Sequence, residues 1–165
     1  MNSFSTNALI IFLRLPELGK VKTRLARTIG EVQALEIYKQ LIDITFGLID
    51  HDHFTTYLYF DPDIDQTLVP PNCEARIQSG DSLGVRMHRA FDEILDKHKH
   101  AVIIGADCPY ITTDLINHAF SLLETDDVVI GPASDGGYYL LGLRENNPLL
   151  FSEVRWGSDE GSKQP

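Results

Sequence analysis

Short apolar runs alternate with segments of helical periodicity along most of this chain. The predicted strands are Ala8–Leu13, Thr55–Phe60, Ala75–Gln78, Ala101–Gly105, Asp127–Gly131 and Tyr138–Leu143. Continuous apolar runs of this kind are typical of strands that are buried on both faces of a sheet. Strands joined through helices form a largely parallel sheet with right-handed crossovers and a helical layer on each face. The pattern therefore predicts a three-layer αβα fold with a mostly parallel central sheet.

The segments between the strands carry the three- and four-residue apolar spacing of amphipathic helices. The first two predicted helices run from about Val21 to Gly30 and from Glu31 to about Ile49. Two more helices follow, with Asp81 or Ser82 as the expected N-cap of the first and Thr112 or Thr113 as that of the second. Side-chain oxygens at these positions can accept a hydrogen bond from a free backbone N–H of the first turn.

The size of the chain fits one domain that buries its own core. We assign residues 1–156 of the 165 to this domain and interpret 157–165 as a polar tail or a truncated boundary. No apolar run reaches the ~20 residues that a membrane span needs. The short N-terminal apolar run lacks the basic flank and the cleavage site of a signal peptide.

Charge and cysteine content restrict the partners of the protein. A net charge of -10 argues against general nucleic-acid binding, because a phosphate backbone is normally met by a surplus of lysine and arginine. Cys73 and Cys108 are far apart and lack metal-ligand spacing, so neither a disulfide framework nor a zinc site is expected. The sequence predicts a cytoplasmic protein that acts on small molecules.

A basic loop follows the first predicted strand. Lys20, Lys22 and Arg24 lie close together after Gly19, at the start of a predicted helix whose free backbone N–H groups add to their positive potential. The dinucleotide motif GxGxxG and the P-loop motif GxxxxGK[ST] are both absent from this loop. The cluster predicts a site for a diphosphate, although the same spacing fits cations that merely lie on an exposed helix face.

Two carboxylates follow predicted strands further along the chain. Asp107 lies directly after a buried strand, and Asp135 precedes two glycines in GPASDGGYYLLGL. Ligands of open α/β sheets bind outside the carboxyl ends of the strands, and Mg²⁺ or Mn²⁺ prefers oxygen ligands. Asp107 is therefore the candidate metal ligand and Asp135 a candidate catalytic group beside the substrate. The alternatives are a cap at Asp107 and a tight Asp-Gly turn at Asp135.

The start of the third predicted helix is a further candidate binding segment. Leu83, Gly84 and Arg86 lie in its first turn, where backbone groups can contact a base or a ribose. The alternative is a capped amphipathic helix with a solvated arginine. Cys108 adjoins Asp107, but no base lies near it in the sequence, and we interpret it as a packed thiol rather than a nucleophile.

Four segments in order resemble one family of small proteins: KTRLA, GDSLGVRMHRAF, VIIGADCPYIT and VVIGPASDGGYYLLGL. The family is domain of unknown function 2064, a group of glycosyltransferase-A-like (GT-A) proteins associated with radical-SAM and selenoprotein domains. The resemblance implies a GT-A fold, the Rossmann-like fold of nucleotide-diphospho-sugar transferases and nucleotidyltransferases. It covers almost the whole chain, from Ala8 to about Trp156.

The resemblance also implies roles for the candidate residues. Lys20, Lys22 and Arg24 would hold the nucleotide phosphates, Leu83 and Gly84 would line the base or ribose, and Asp107 would be the metal-binding acid. Asp135 and Gly136 would face the sugar or the acceptor. The cofactor would be Mg²⁺ or Mn²⁺, and the partners a nucleotide or sugar nucleotide and a small-molecule acceptor.

Two departures from the family pattern bear on catalysis. Trp156 is followed by GSDEGSKQP rather than by a terminal helix, and the acidic DxD motif is reduced to ADC at positions 106–108. The leading hypothesis is a metal-dependent glycosyltransferase or nucleotidyltransferase. A non-catalytic nucleotide-binding or regulatory module is the alternative, and the missing glycine fingerprint disfavours an NAD-linked oxidoreductase.

Overall fold

A single six-stranded sheet forms the centre of the computed structural model, which describes residues 5–151. Its strands are β1 Asn7–Arg14, β2 Thr55–Asp61, β3 Glu74–Ile77, β4 His100–Gly105, β5 Val128–Pro132 and β6 Tyr138–Leu143. The strand order is β3-β2-β1-β4-β6-β5. The strands β1 to β4 are parallel to one another, whereas β6 is antiparallel to both β4 and β5. The mostly parallel sheet expected from the sequence is confirmed.

Four α-helices connect or flank these strands within residues 5–151: α1 Thr23–Ile29, α2 Glu31–Phe46, α3 Leu83–Leu95 and α4 Thr113–Leu122. Ser82 caps α3 by accepting from the backbone N–H of Val85 at 3.2 Å, and Thr112 caps α4 by accepting from Leu115 at 3.1 Å. The prediction for α2 was three residues too long, because Gly47, a weak helix former, stands at its C-cap.

The two faces of the sheet pack against different helices. Along β1, Leu9, Ile11 and Leu13 join a buried cluster with side chains of α2 and α4. Ala8, Ile10 and Phe12 point to the other face and pack with α3. Successive strand residues point to opposite faces, so the uninterrupted apolar run of β1 supplies both cores. This arrangement confirms the three-layer αβα architecture.

The register brings polar residues to one edge of the sheet. Arg14 at the end of β1 pairs with Asp61 at the end of β2, and Phe12 pairs with Gly105 at the end of β4. The loop 133–137 between β5 and β6 reaches the same edge, because β5 runs parallel to β4 and β6 returns. The candidate acids are therefore collected at the carboxyl edge by topology, although they are distant in sequence.

A buried histidine lies at the opposite edge. His98 contacts the carbonyl oxygen of Ser5 through Nδ1 at 2.6 Å and the hydroxyl of Tyr57 through Nε2 at 2.7 Å. The carbonyl can only accept, so Nδ1 carries the proton and Nε2 accepts from Tyr57. Burial lowers the pKa of His98 and, similarly, that of His100.

We expect the protein to lose stability as the pH falls below about 6.5. In that range the unfolded chain binds protons that the folded state, with its lowered histidine pKa values, does not bind, so acid favours unfolding. Urea denaturation at pH 7.5 and 5.5 measures this difference. It becomes smaller in His98→Asn and stays unchanged in His118→Asn, a control at an exposed position of α4. An equal pH difference in wild type and His98→Asn would contradict the account.

Candidate functional site

A cavity of about 1040 Å³ opens at the carboxyl edge of the sheet. Its walls come from the ends of β1, β2 and β4, the start of α3 and the β5–β6 loop. The polar and charged side chains that line it are Arg14, Lys22, Tyr38, Asp61, Gln78, Asp81, Ser82, Arg86, Asp107, Tyr110, Ser134, Asp135, Tyr138 and Tyr139. The structure thus brings Asp107 and Asp135 into one cavity, as the sequence predicted.

Asp107 is an exposed carboxylate at the cavity wall. It follows β4 in a short loop held between two buried residues, Ala106 and Ile111. Within residues 5–151 its carboxylate has neither a hydrogen bond nor an ion pair. The cap interpretation is therefore not the observed arrangement, because Thr112 caps the helix that follows.

The carboxylate of Asp107 fits a cation site in which the substrate and water supply the other ligands. No group of three histidine, cysteine or acidic side chains placed to hold a metal occurs in the described part of the chain. Mg²⁺, however, is usually held by only one or two carboxylates, with waters and substrate phosphates as its other ligands. The free Asp107 carboxylate in an open cavity meets that requirement.

Asp135 lies in the turn of the β5–β6 hairpin. Its Oδ1 accepts from the backbone N–H of Gly137 at 3.1 Å, while the N–H of Ala133 donates to the Gly137 carbonyl at 2.8 Å. Gly136 has a φ of 91°, which few residues other than glycine adopt. The turn interpretation is thus correct for the local structure, yet the exposed carboxylate also lines the cavity.

The basic loop does not converge on the cavity as a group. Only Lys22 lines it, and its backbone has a left-handed φ of 48° just before α1. Lys20 lies in a turn and pairs with Glu17 at 3.0 Å on the surface. Arg24 is exposed in the first turn of α1, outside the cavity wall. Lys20 precedes α1, which begins at Thr23, so Lys20 and Arg24 do not share a helix face.

Arg14, Asp61 and Arg86 form a charged group that our sequence analysis missed. One oxygen of Asp61, Oδ2, contacts Arg14 Nε at 3.2 Å and Arg86 Nη1 at 3.3 Å. The Arg86 side chain also donates to the carbonyl of Gly80 at 2.9 Å and to Gln78 Oε1 at 3.3 Å. Arg86 is therefore a fixed part of the cavity wall rather than a solvated arginine.

Tyr38 holds the backbone of Arg14 at the end of β1. Its hydroxyl accepts from the backbone N–H of Arg14 at 2.9 Å and donates to the Arg14 carbonyl at 3.2 Å. Burial raises the pKa of Tyr38 to about 12, with smaller contributions that raise it from the carboxylates of Asp107 and Asp61. The neutral hydroxyl of Tyr38 therefore interacts electrostatically with Asp107 and with both members of the Arg14–Asp61 pair.

Leu83 and Gly84, which were predicted to line the same binding site, occupy different environments in the structure. Leu83 lines the cavity, but Gly84 is buried on the other side of α3. A Cβ added to Gly84 would lie 2.3 Å from the carbonyl oxygen of Phe151. This glycine allows close packing against residues 148–151, and the structure does not place it in the cavity wall.

Cys108 lines the cavity and packs against the core, and neither cysteine forms a disulfide.

Residues 45–158 match a known protein family, DUF2064, which is described as an uncharacterized protein conserved in bacteria. The chain belongs to this family. The match extends beyond the described residues and includes Trp156, whose structure lies outside them, as does the proposed tail at 157–165. No curated protein matches the chain.

Solved structures with the same fold agree with this family membership. A candidate nucleotide-diphospho-sugar transferase from Desulfovibrio desulfuricans G20 is 30% identical, with a TM-score of 0.86 over 96% of this chain and 72% of that one. The 4-diphosphocytidyl-2C-methyl-D-erythritol synthase from Anaerococcus prevotii DSM 20548 is 12% identical, with a TM-score of 0.59 over 94% and 80% of the two chains. The DUF2064 chain therefore has a nucleotide-diphospho-sugar transferase-like fold.

Among its described helices, none is long and apolar enough to cross a membrane.

Proposed function

We propose that this DUF2064 protein is a metal-dependent transferase that uses an activated nucleotide donor. The observation that supports it best is the unpartnered Asp107 carboxylate in the same cavity as the guanidinium groups of Arg14 and Arg86. The fold shared with the transferase-like structure from Desulfovibrio supports the same proposal. We further propose that it acts in the cytoplasm, where both free cysteines stay reduced.

The charges of the cavity explain why a cation is needed. Its lining carries three positive side chains, Arg14, Lys22 and Arg86, against four carboxylates, Asp61, Asp81, Asp107 and Asp135. These cations cannot neutralise a diphosphate while they also face four acids. Asp107 would hold a divalent ion, which would supply the missing charge and polarise the phosphate oxygens.

The side chains of the chain itself bind and orient the reactants. Asp135 has its Oδ1 committed to the turn, which leaves Oδ2 to accept from an acceptor hydroxyl. The acceptor hydroxyl gives its proton to Asp135 Oδ2 as its oxygen bonds to the sugar carbon or to the α-phosphorus, and the bond from that atom to the leaving phosphate breaks. The leaving group is a nucleoside diphosphate in the first case and pyrophosphate in the second. Positioning and charge stabilisation lower the barrier without a covalent enzyme intermediate.

Ligand-induced stabilisation tests the donor site. We expect at least one nucleotide or sugar nucleotide to raise the melting temperature in the presence of Mn²⁺, with a smaller effect in EDTA. A ligand at 100 times its Kd adds about 2.7 kcal/mol to the free energy of unfolding. The matched control is the corresponding nucleoside, which lacks the phosphates. If no nucleotide shifts the melting temperature with either metal, the proposed donor site is wrong.

A further inference from the structure

The carboxylate of Asp61 holds two guanidinium groups next to each other in the cavity wall. Arg14 Nε and Arg86 Nη1 both contact Oδ2 of Asp61, so they are no further apart than their two contact distances of 3.2 and 3.3 Å combined. One negative charge thus faces two positive charges. This group is therefore the positively charged part of a lining whose net charge is negative.

Each member of this arrangement has more than one partner. The Asp61 side chain is only 18% exposed, and Arg86 is tied to Gly80 and Gln78 besides Asp61. The Gln78 amide in turn donates to the carbonyl oxygens of Leu13 and Tyr59, at the ends of β1 and β2. The Arg86 guanidinium is therefore held through Gln78 by the ends of β1 and β2, whereas that of Arg14 is held by Asp61 and by the carbonyl of Lys20 at 3.5 Å.

Both arginines keep a donor for a ligand. Within residues 5–151, the Nη2 atom of Arg14 and that of Arg86 have no hydrogen-bond partner. Paired guanidinium groups bind phosphate oxygens through several parallel N–H donors, a geometry that an ammonium group does not offer. Both residues line the cavity that also contains Asp107.

We propose that Arg14 and Arg86, held on Asp61, form the diphosphate receptor of this protein. This inference rests on the proposed function and assigns the donor phosphates to this pair, in place of Lys20 and Arg24. Lys22 at the cavity wall is the one member of the basic loop placed to assist. Arg14 and Arg86 contact the phosphate oxygens, and Asp61 is a positioning residue that orients both.

Titration calorimetry with inorganic pyrophosphate and Mg²⁺ tests the receptor without assuming a base or a sugar. We expect Arg14→Gln to raise the Kd for pyrophosphate by about tenfold to a hundredfold, the usual effect of losing a charge-assisted hydrogen bond. Arg14→Lys keeps the charge but loses the paired donors, so it recovers only part of the affinity. The matched control is Lys20→Gln, which removes one charge from a surface lysine outside the cavity and leaves the Kd within about twofold.

The outcomes separate this inference from the proposed function. If wild type binds pyrophosphate and Arg14→Gln binds it equally well, or if Lys20→Gln causes the larger loss, the receptor is wrong and the donor site lies elsewhere in the cavity. Loss of affinity in Arg14→Gln, with full affinity in Lys20→Gln, supports the receptor even if no sugar nucleotide is turned over. If wild type does not bind pyrophosphate, the receptor is overturned, and binding of intact nucleotides alone then decides the proposed function. The Arg14 side chain is 65% exposed, so the variants are expected to fold.

Discussion

Asp107→Asn is expected to lower metal-dependent turnover by at least about a hundredfold while the protein stays folded. Asparagine keeps the shape of the side chain but loses the negative charge that would hold Mg²⁺ or Mn²⁺. A bound cation contributes several kcal/mol of charge stabilisation in a transition state, which corresponds to this loss of rate. Asp107 is exposed and has no partner within residues 5–151, so the melting temperature is expected to change little.

The measurement is the initial rate at increasing Mn²⁺ concentrations for wild type and variant. Asp114→Asn serves as the matched control, since it makes the same change at an exposed position in the first turn of α4 that does not line the cavity. Full activity in Asp107→Asn, with an unchanged Mn²⁺ dependence, would show that the cation is held by other groups.

Gly84→Ala is expected to destabilise the protein by about 1–3 kcal/mol, as substitutions that overpack a core do. The new methyl group would lie 2.3 Å from the carbonyl oxygen of Phe151, a backbone atom that cannot move aside by rotating a side chain. In an unobstructed helix the same change is favourable, because alanine has the higher helix propensity. A lower free energy of unfolding in Gly84→Ala would therefore be due to the clash with the Phe151 carbonyl and not to helix propensity.

Urea denaturation of Gly84→Ala measures this effect, with Asp92→Ala, at an exposed position of α3, as the control for helix propensity. Together with a titration of nucleotide binding, this experiment decides between the two roles of Gly84. A packing residue loses stability on substitution, whereas a ligand-contacting residue would lose nucleotide affinity with its stability unchanged. The second result would contradict the position of Phe151 in the structure.

The strands could be predicted because a strand that is buried on both faces appears in the sequence as a continuous apolar run. β1, β2 and β4 are buried on both faces, and the apolar runs in the sequence place each of them to within one residue at either end. The insertion of β6 between β4 and β5 was not predictable in the same way. Any apolar run can pair with several neighbours, and the choice depends on packing across the whole sheet.

The sequence could identify residues of the site only where a local pattern, such as a polar residue directly after an apolar run, was enough to place them. Asp107 follows an apolar run, and so do Arg14 and Asp61, which the same signal could have found. Our sequence analysis did not single out Asp61, although it directly follows the predicted strand Thr55–Phe60. Lys20 and Arg24 were assigned to the ligand by their closeness to Lys22 in the sequence, but only Lys22 of these three lines the cavity. Whether a charge faces the cavity depends on backbone angles that composition does not encode.

Conversion of a donor by the wild-type protein tests the central claim most directly. A donor that binds is incubated with the protein, Mn²⁺ and a protein-free cell extract as the source of acceptors, and ³¹P NMR follows the phosphates. We predict the appearance of a nucleoside diphosphate, which marks glycosyl transfer, or of pyrophosphate, which marks nucleotidyl transfer, and the loss of both signals in Asp107→Asn. If every donor that binds stays intact, the protein is a nucleotide-binding module and not a transferase.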